Sequence, residues 1–177
     1  MGTRRNEDRR TPEAWSEVAV ERLASLAGAR EGVGHPRPRL FRRSVGDGDV
    51  IAPYDHVSNV VLGRWLDEIA ATTFDRDGTL AAGLAWFIGR HEIEFLAETM
   101  RGDTLVAATW VGRVERLRAW RETVFFREHD GAALVRSSAT WILVDFPSRR
   151  PRRIPAPMIA ALDVLDPPDA PRSPTPA

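Results

Sequence analysis

A carboxylate, an imidazole and an amide stand within five residues of one another in this chain, at Asp55, His56 and Asn59. The apolar spacing that follows predicts a long helix from Asp55 to about Thr73, so all three residues lie where that helix begins. The free backbone N–H groups and the positive dipole end at a helix start polarise a carbonyl group, and a nearby carboxylate or imidazole activates an attacking oxygen. The pattern is therefore suited to attack on an acyl carbonyl.

Each of these residues also has a structural interpretation. Asp55 suits a helix N-cap by residue type and position. His56 serves either as a base or hydrogen-bond donor, or as a bridge between loop and helix, and Asn59 either orients a substrate or satisfies the helix start. Asp49, in a glycine-rich turn, and Glu68, on the helix, are two further candidate acids. Their alternatives are a plain turn residue and a solvated helix carboxylate.

Composition excludes several classes of function. The 177 residues contain no cysteine, which removes disulfides, thiol catalysis and thiolate zinc sites. The 25 arginines balance 25 acidic residues, so no nucleic-acid partner is expected. No apolar run approaches the roughly 20 residues of a membrane span, and no signal core follows the start, so we expect no membrane association and a cytoplasmic location. His91 and His129 lack a metal-ligand pattern, and no metal or cofactor is predicted.

The elements around the predicted central helix indicate an α+β domain. Before it, residues 11–29 are predicted to form an accessory helix, capped by Thr11, and residues 39–45 to form a first strand. The apolar stripe of the accessory helix comprises Trp15, Val18, Leu23 and Leu26. After the central helix, four long strands are predicted at about 84–97, 103–115, 117–128 and 132–146. Such an antiparallel sheet must bury one face on the helix.

The chain length suits one domain with tails. We expect a mobile tail over residues 1–10 and an accessory helix with a linker over 11–38. The main domain is predicted over 39–158, followed by a largely disordered tail over 159–177. The whole stretch from Pro147 is rich in proline and arginine, so we expect it to be largely irregular.

Three motifs resemble those of hot-dog-fold thioesterases, in the same order along the chain. The first, Asp55-His56-Val57-Ser58-Asn59, is similar to the Gly-His-Val-Asn-Asn opening of the central helix in that superfamily. The second, residues 92–96 with the turn at 101–103, resembles its second strand and Gly-Asp turn. The third, residues 141–145 with 148–155, is similar to the end of acyl-ACP thioesterases. Together the motifs cover roughly residues 39–155.

The resemblance implies a single hot-dog domain, an antiparallel sheet wrapped around one long helix, and a homodimer or dimer of dimers. It implies a site at the dimer interface that holds a pantetheine arm and hydrolyses a fatty or polyketide acyl thioester of acyl carrier protein or coenzyme A. The catalytic candidates under this resemblance are Asp55, His56, Asn59 and Glu68. The candidate residues for the wall of the acyl chamber are Tyr54, Val57, Leu62 and Trp65.

One departure from the family pattern leaves hydrolysis open. Ala52 stands where many relatives carry an aspartate, four residues before the histidine, so Asp55, Asp49 or Glu68 has to supply the acid. The alternative is a non-hydrolytic hot-dog protein that binds an acyl or polyketide ligand, or that acts as a cyclase or dehydratase. The arginine run at 149–153 is suited to an acidic carrier protein or to the phosphates of coenzyme A, or else is a solvated basic tail.

Overall fold

A curved antiparallel sheet and one long helix make up most of the computed structural model, which describes residues 14–26, 32–75 and 83–164. The elements are β1 Ser16–Val18, β2 Arg39–Ser44, β3 Val50–Ile51, β4 His56–Val57, α1 Asn59–Asp75, β5 Leu84–Phe95, β6 Thr104–Glu115, β7 Arg118–Arg127, β8 Ala133–Asp145, β9 Arg150–Pro151 and α2 Ala156–Ala161. The strands of the sheet follow the order β1-β2-β6-β7-β8-β5, with β9 added to β8. Strands β3 and β4 form a separate hairpin just before α1.

The core lies between α1 and the inner face of the sheet, the face that α1 covers. Trp65, at the centre of α1, is fully buried, and its neighbours at helical spacing are Leu62, Leu66 and Ile69. They pack against residues of β2, β6, β7 and β8, namely Phe41, Leu105, Ala107, Phe125 and Val135. Burial of each large apolar side chain contributes about 1.5–3 kcal/mol, so this contact fixes the position of α1.

The four long strands predicted after the helix are confirmed, and their observed bounds differ from the predicted ones by at most two residues. Their alternating pattern places one set of side chains on α1 and the other on the outer face. The predicted strand at 39–45 is also confirmed as β2. Among the described helices, none combines the length and apolar character that a membrane crossing requires.

The accessory helix predicted at 11–29 is wrong for the described part of that stretch. Residues 16–18 form β1, which pairs antiparallel with β2, and residues 20–25 form a short 3₁₀ helix. The four stripe residues divide between the two faces of the sheet. Trp15 contacts Trp65 on the inner face, whereas Leu23 and Leu26 are buried on the outer face. The open edge of β2 offered hydrogen-bond partners that an isolated helix lacks, so tertiary contact overrode the local pattern.

The start of the central helix also differs from the prediction. Helix α1 begins at Asn59 rather than Asp55, because residues 50–57 fold into the β3–β4 hairpin. Asp55 adopts a φ of 56°, outside the helical region, so its interpretation as the N-cap is wrong. Ser58 fills that role, since its hydroxyl accepts a hydrogen bond from the Val61 N–H at 3.2 Å.

The stretch from Pro147 is more ordered than its composition suggests. It contains β9 and then α2, which crosses the predicted domain boundary at residue 158. Ile154 before α2, Met158 within it and Leu162 just after it are buried against the end of the core, so this segment packs on the domain. The predicted mobile tail at 1–10 and the end of the chain from 165 lie outside the described residues.

Candidate active site

His56 lies on β4, and backbone hydrogen bonds hold this strand against the loop between β5 and β6. The Val57 N–H donates to the Thr99 carbonyl at 2.8 Å, and the Arg101 N–H donates to the Asp55 carbonyl at 3.0 Å. The His56 side chain is partly exposed, and the ring of Tyr54 lies 5.8 Å from it, centroid to centroid. The fold therefore presents the imidazole at the surface beside the helix start.

The backbone at the beginning of α1 is open to a ligand. The Leu62 N–H donates to the Ser58 carbonyl and the Val61 N–H to the Ser58 hydroxyl. The two preceding N–H groups, of Asn59 and Val60, have no acceptor within the helix, and both residues are exposed. A carbonyl oxygen that accumulates negative charge would be stabilised there by these donors and by the helix dipole.

The Asp55 carboxylate is part of a surface ion-pair group. Its Oδ1 accepts a hydrogen bond from Arg101 Nη2 at 2.6 Å, and the same guanidinium reaches Asp47 through Nη1 at 2.5 Å. Slightly more than half of the Asp55 side chain is exposed. Asp55 is next to His56 in sequence, but its carboxylate is paired with Arg101.

Asp49 lies in a buried ion pair. Its Oδ1 accepts a hydrogen bond from Arg43 Nη2 at 2.8 Å, and its Oδ2 accepts one from the Gly46 N–H at 3.0 Å. The Asp49 and Arg43 side chains are 3% and 2% exposed, and the Arg43 guanidinium lies 4.3 Å from the centre of the Trp65 ring. Asp49 therefore ties the 46–51 loop to β2 and has no exposed oxygen to offer a substrate.

Glu68 lies on the flank of α1 that faces β2. Its carboxylate is 3.8 Å from Arg43 Nη1 and 3.4 Å from Arg64 Nε. The structure therefore groups Glu68 with the Arg43–Asp49 pair. The helix start with His56 and Asn59 is a separate group.

The residues predicted to form an acyl chamber divide in the same way. Val57, Leu62 and Trp65 are 2%, 3% and 0% exposed, and all three belong to the core under α1. Tyr54 is 69% exposed and contacts His56. Of the four, Tyr54 alone lies at the open surface beside the helix start.

A second polar group lies on the opposite flank of α1, toward β5. His91 of β5 shares a hydrogen bond of 2.8 Å with Ser137 of β8, between Nε2 and Oγ. Asp67 of α1, His91 and Ser137 line one small cavity of about 10 Å³, together with Arg121 and Thr123 of β7. Burial lowers the pKa of His91, and the Asp67 charge partly opposes that effect. We call Asp67, His91 and Ser137 the β5-side group.

The sequence did not indicate this group, because His91 carries no metal-ligand pattern and its partner Ser137 is 46 residues away. The alternation of His91 with Ile93 on β5 was the available signal. Ile93 packs on the core under α1, so a histidine two residues earlier also faces α1. A titratable side chain on that face needs a polar partner, which only the tertiary structure identifies.

Strand β5 is an edge of the sheet and carries apolar side chains that are open to solvent. Its twelve residues pair with β8 on one side, and no described strand pairs with the other side. The large apolar residues that are exposed on and just after it are Phe87, Ile88, Phe95 and Leu96. A long apolar edge of this kind is a surface for strand pairing with another chain.

A wider groove of about 630 Å³ lies on the outer face of the sheet, away from α1. It is lined by Trp110, Glu122 and Arg136, among others. Burial raises the pKa of Glu122, the Ser138 hydroxyl opposes this by donating a hydrogen bond, and the Glu92 charge adds to it. Among the described residues, no cluster of three or more histidine or acidic side chains is suited to a metal ion.

Comparison with known proteins gives the family. The model of the acyl-ACP thioesterase N-terminal domain matches residues 61–162, more than half of the chain. No curated protein matches the sequence.

Several solved structures share the fold. A thioesterase-superfamily structure from Jannaschia sp. CCS1 is 18% identical, covers 83% of this chain and 91% of its own, and superposes with a TM-score of 0.69. A 1,4-dihydroxy-2-naphthoyl-CoA thioesterase from Synechocystis is 16% identical, with 70% and 93% covered and a TM-score of 0.61. A hypothetical protein from Staphylococcus aureus in complex with CoA is 11% identical, with 69% and 79% covered and a TM-score of 0.64. By its family model the chain belongs to the acyl-ACP thioesterase family, and by its structure it has the hot-dog fold of the thioesterase superfamily.

Proposed function

We propose that this protein is a thioesterase that hydrolyses an acyl thioester of acyl carrier protein or coenzyme A. The observation that carries the proposal is the open start of α1, where the free N–H groups of Asn59 and Val60 lie next to His56. In this proposal the two N–H groups hold the thioester carbonyl oxygen, and Asn59 and His56 orient the carbonyl or the attacking water. Family membership supports the reaction class.

We infer that the active unit is a homodimer joined along β5. The exposed apolar residues of this strand and its free edge suit pairing with a second copy. A two-fold interface presents the same patch twice, so the two β5 strands run antiparallel and their sheets become continuous. Such pairing covers Phe87 and Phe95 and encloses the neighbouring flank of α1.

The carrier is expected to approach over an arginine-rich surface formed by Arg116, Arg149, Arg150, Arg152 and Arg153. All five are exposed, and the Ile154 N–H donates to the Arg116 carbonyl at 2.8 Å, which places the two segments side by side. The apolar rings of Phe87 and Phe146 lie under Arg149. Guanidinium groups bind the phosphates of coenzyme A and acidic protein surfaces alike, so substrate comparison has to separate these carriers.

A non-hydrolytic role is the second candidate, and two observations favour it. Ala52 occupies the position at which the resemblance places an aspartate, and the carboxylate next to His56 in sequence, Asp55, is paired with Arg101. A protein without a base at the helix start would bind an acyl or polyketide ligand, or act on it as a cyclase or dehydratase, without releasing a thiol.

Thiol release from panels of acyl carrier protein and coenzyme A thioesters tests the two candidates. The chain has no cysteine, so a thiol-reactive dye reports only the product thiol. The proposed function predicts turnover and a fall of about 10²-fold in kcat/KM in His56→Asn, because misplacing the carbonyl or the attacking water costs on that scale. His129→Asn is the matched control, because His129 is exposed and lies in the loop between β7 and β8. Ligand binding without thiol release would favour the second candidate.

A further inference from the structure

The two neighbouring carboxylates on α1 differ in what they face. Glu68 is close to Arg43 and Arg64 on the β2 flank. Asp67, one residue earlier, has no ion pair with any described residue and faces the small cavity beside His91. If the second subunit pairs along β5, Asp67 is the helix carboxylate on the side of the interface.

The cavity shared by the β5-side group is large enough for one water molecule, and polar side chains line it beside Leu66, Ala70, Ala139 and Trp141. Its volume of about 10 Å³ is close to the smallest that holds a water, and a buried water needs two to four polar partners. The carboxylate, imidazole and hydroxyl around it supply them. A bound water there would be within reach of a base.

We propose that Asp67, His91 and Ser137 form the proton-handling half of the thioesterase site, with His91 as the general base that activates water. This inference rests on the proposed function. His91 would be the base in place of the aspartate for which this chain has Ala52. Ser137 and Asp67 are positioning residues. The proposal requires the His91 tautomer in which Nε2–H donates the 2.8 Å hydrogen bond to the Ser137 hydroxyl, so that the lone pair of Nδ1 is the acceptor.

The step balances without any further reactant. His91 Nδ1 takes a proton from the water as the water oxygen forms a bond to the thioester carbonyl carbon, and the carbonyl oxygen becomes an oxyanion. The helix start that holds this oxyanion is that of the second subunit across β5, because Asp67 lies about 12 Å along α1 from the start of its own helix. The oxyanion then reforms the C=O bond, the C–S bond breaks, and the leaving sulfur receives the proton from the imidazolium. The products are a carboxylic acid and the free thiol of the pantetheine arm.

The electrostatic setting is consistent with a base. Burial holds the pKa of His91 below its ordinary value of 6.5, so the imidazole is neutral near pH 7 and can accept a proton. Asp67, from α1, stabilises the imidazolium that forms. Arg121, from β7, is the other charged side chain that lines the cavity, and Thr123 and Ser137 are neutral.

The first experiment compares thiol release by the full chain and by His91→Asn. We expect kcat to fall by about 10²-fold or more, the scale of a general base, with unchanged circular dichroism. His129→Asn is the matched control and should retain the wild-type rate. A wild-type chain that releases no thiol from any thioester overturns both the proposed function and this inference. A wild-type chain that is active beside a His91→Asn variant of equal rate overturns this inference alone.

The second experiment does not require a folded His91→Asn variant, because it measures the pH dependence of kcat/KM in variants of the neighbouring residues. The acid limb of kcat/KM against pH reports the pKa of the base in the free enzyme. Because Asp67 raises the pKa of His91, Asp67→Asn should move that limb to lower pH. Glu94→Gln, on β5 but on the outer face, is the control and should leave the limb in place. A limb that moves in Glu68→Gln and stays in Asp67→Asn would overturn the inference.

Discussion

The two flanks of α1 both carry charged and polar side chains, but they differ in how far these side chains are buried and paired. On the β2 flank, Arg43 and Asp49 are almost fully buried, joined by a hydrogen bond and covered by Trp65. On the β5 flank, His91 is partly exposed and its neighbour Asp67 has no ion pair among the described residues. Charged groups that are sealed and mutually satisfied hold the fold, whereas polar groups left open at an edge are available for binding and chemistry.

Substitution of the buried pair on the β2 flank should have the largest effect on the free energy of unfolding. Asp49→Ala removes the buried carboxylate that is hydrogen-bonded to the Arg43 guanidinium and leaves this cation with the half-exposed Glu68 at 3.8 Å. Breaking a buried ion pair in this way destabilises a protein by about 3–5 kcal/mol. Urea unfolding followed by circular dichroism measures the free energy of unfolding.

Asp47→Ala is the matched control, because Asp47 is 86% exposed and solvent screens its pair with Arg101, so the free energy of unfolding should change little. Equal losses in the two variants would show that the buried pair is no more important than a surface one. Adding Arg43→Met to Asp49→Ala removes the buried charge and should recover part of the loss.

Substitution on the β5 flank should change dimerisation rather than the free energy of unfolding. Ile88→Lys places a charge on the free edge of β5, and two-fold pairing brings the two lysines close together. Like charges at an interface cost several kcal/mol, so the dimer dissociation constant should rise by about 100-fold or more. Sedimentation velocity over a range of protein concentrations measures it.

Val20→Lys controls for the added charge, because Val20 and Ile88 are both 38% exposed and Val20 lies in the 3₁₀ helix before β2. Thiol release should fall together with dimerisation if the site lies at the interface. A wild-type chain that stays monomeric would exclude the β5 interface.

Substitution of the residue that caps α1 should have a smaller effect on the free energy of unfolding. Ser58→Ala removes the hydroxyl that accepts from the Val61 N–H, and loss of such a cap destabilises by about 1 kcal/mol. The free energy of unfolding in urea is again the measurement. Ser25→Ala is the control, since its hydroxyl donates to the Arg22 carbonyl at the exposed end of a 3₁₀ helix, and its effect should stay within about 0.5 kcal/mol. Equal effects would assign the cap to another residue.

The contrast between the flanks also explains what the sequence could predict. Strands β5 to β8 have alternating side chains and glycine turns, which are local signals, and the prediction located them to within two residues. The β1 strand depends on β2, and β4 is held by the loop between β5 and β6, which is distant in sequence. Local patterns therefore indicated helix at Trp15 and Asp55 instead.

The candidate site divides by the same rule. The motif around His56 is continuous in sequence, and its place beside the helix start follows from one local element. His91 and Ser137 are 46 residues apart, and Asp67 lies on a third element, so only the β5–β8 register and the position of α1 bring them together. The partners of Asp49 and Glu68 were hidden for the same reason, because Arg43 faces α1 from β2.

The smallest effect should come from a partly exposed ion pair on the outer face, which sharpens the contrast with Arg43–Asp49. Glu128 pairs with Arg42 at 2.9 Å and also with Arg22 of the 3₁₀ helix. The Arg42 hydrogen bond, the largest of several causes, lowers the pKa of Glu128 below its ordinary 4.5. Glu128→Gln should lower the free energy of unfolding by under about 1 kcal/mol at pH 7, because solvent screens such pairs.

The pH dependence of that loss identifies its cause. A carboxylate whose pKa is lower in the folded state stabilises fully above its unfolded pKa, and this contribution disappears as pH falls through the folded pKa. The difference between wild type and Glu128→Gln should therefore be constant above about pH 5 and shrink steadily at lower pH, as urea unfolding at a series of pH values measures. A difference that persists at pH 2 would show that the packing of the Glu128 side chain, and not its charge, stabilises the protein.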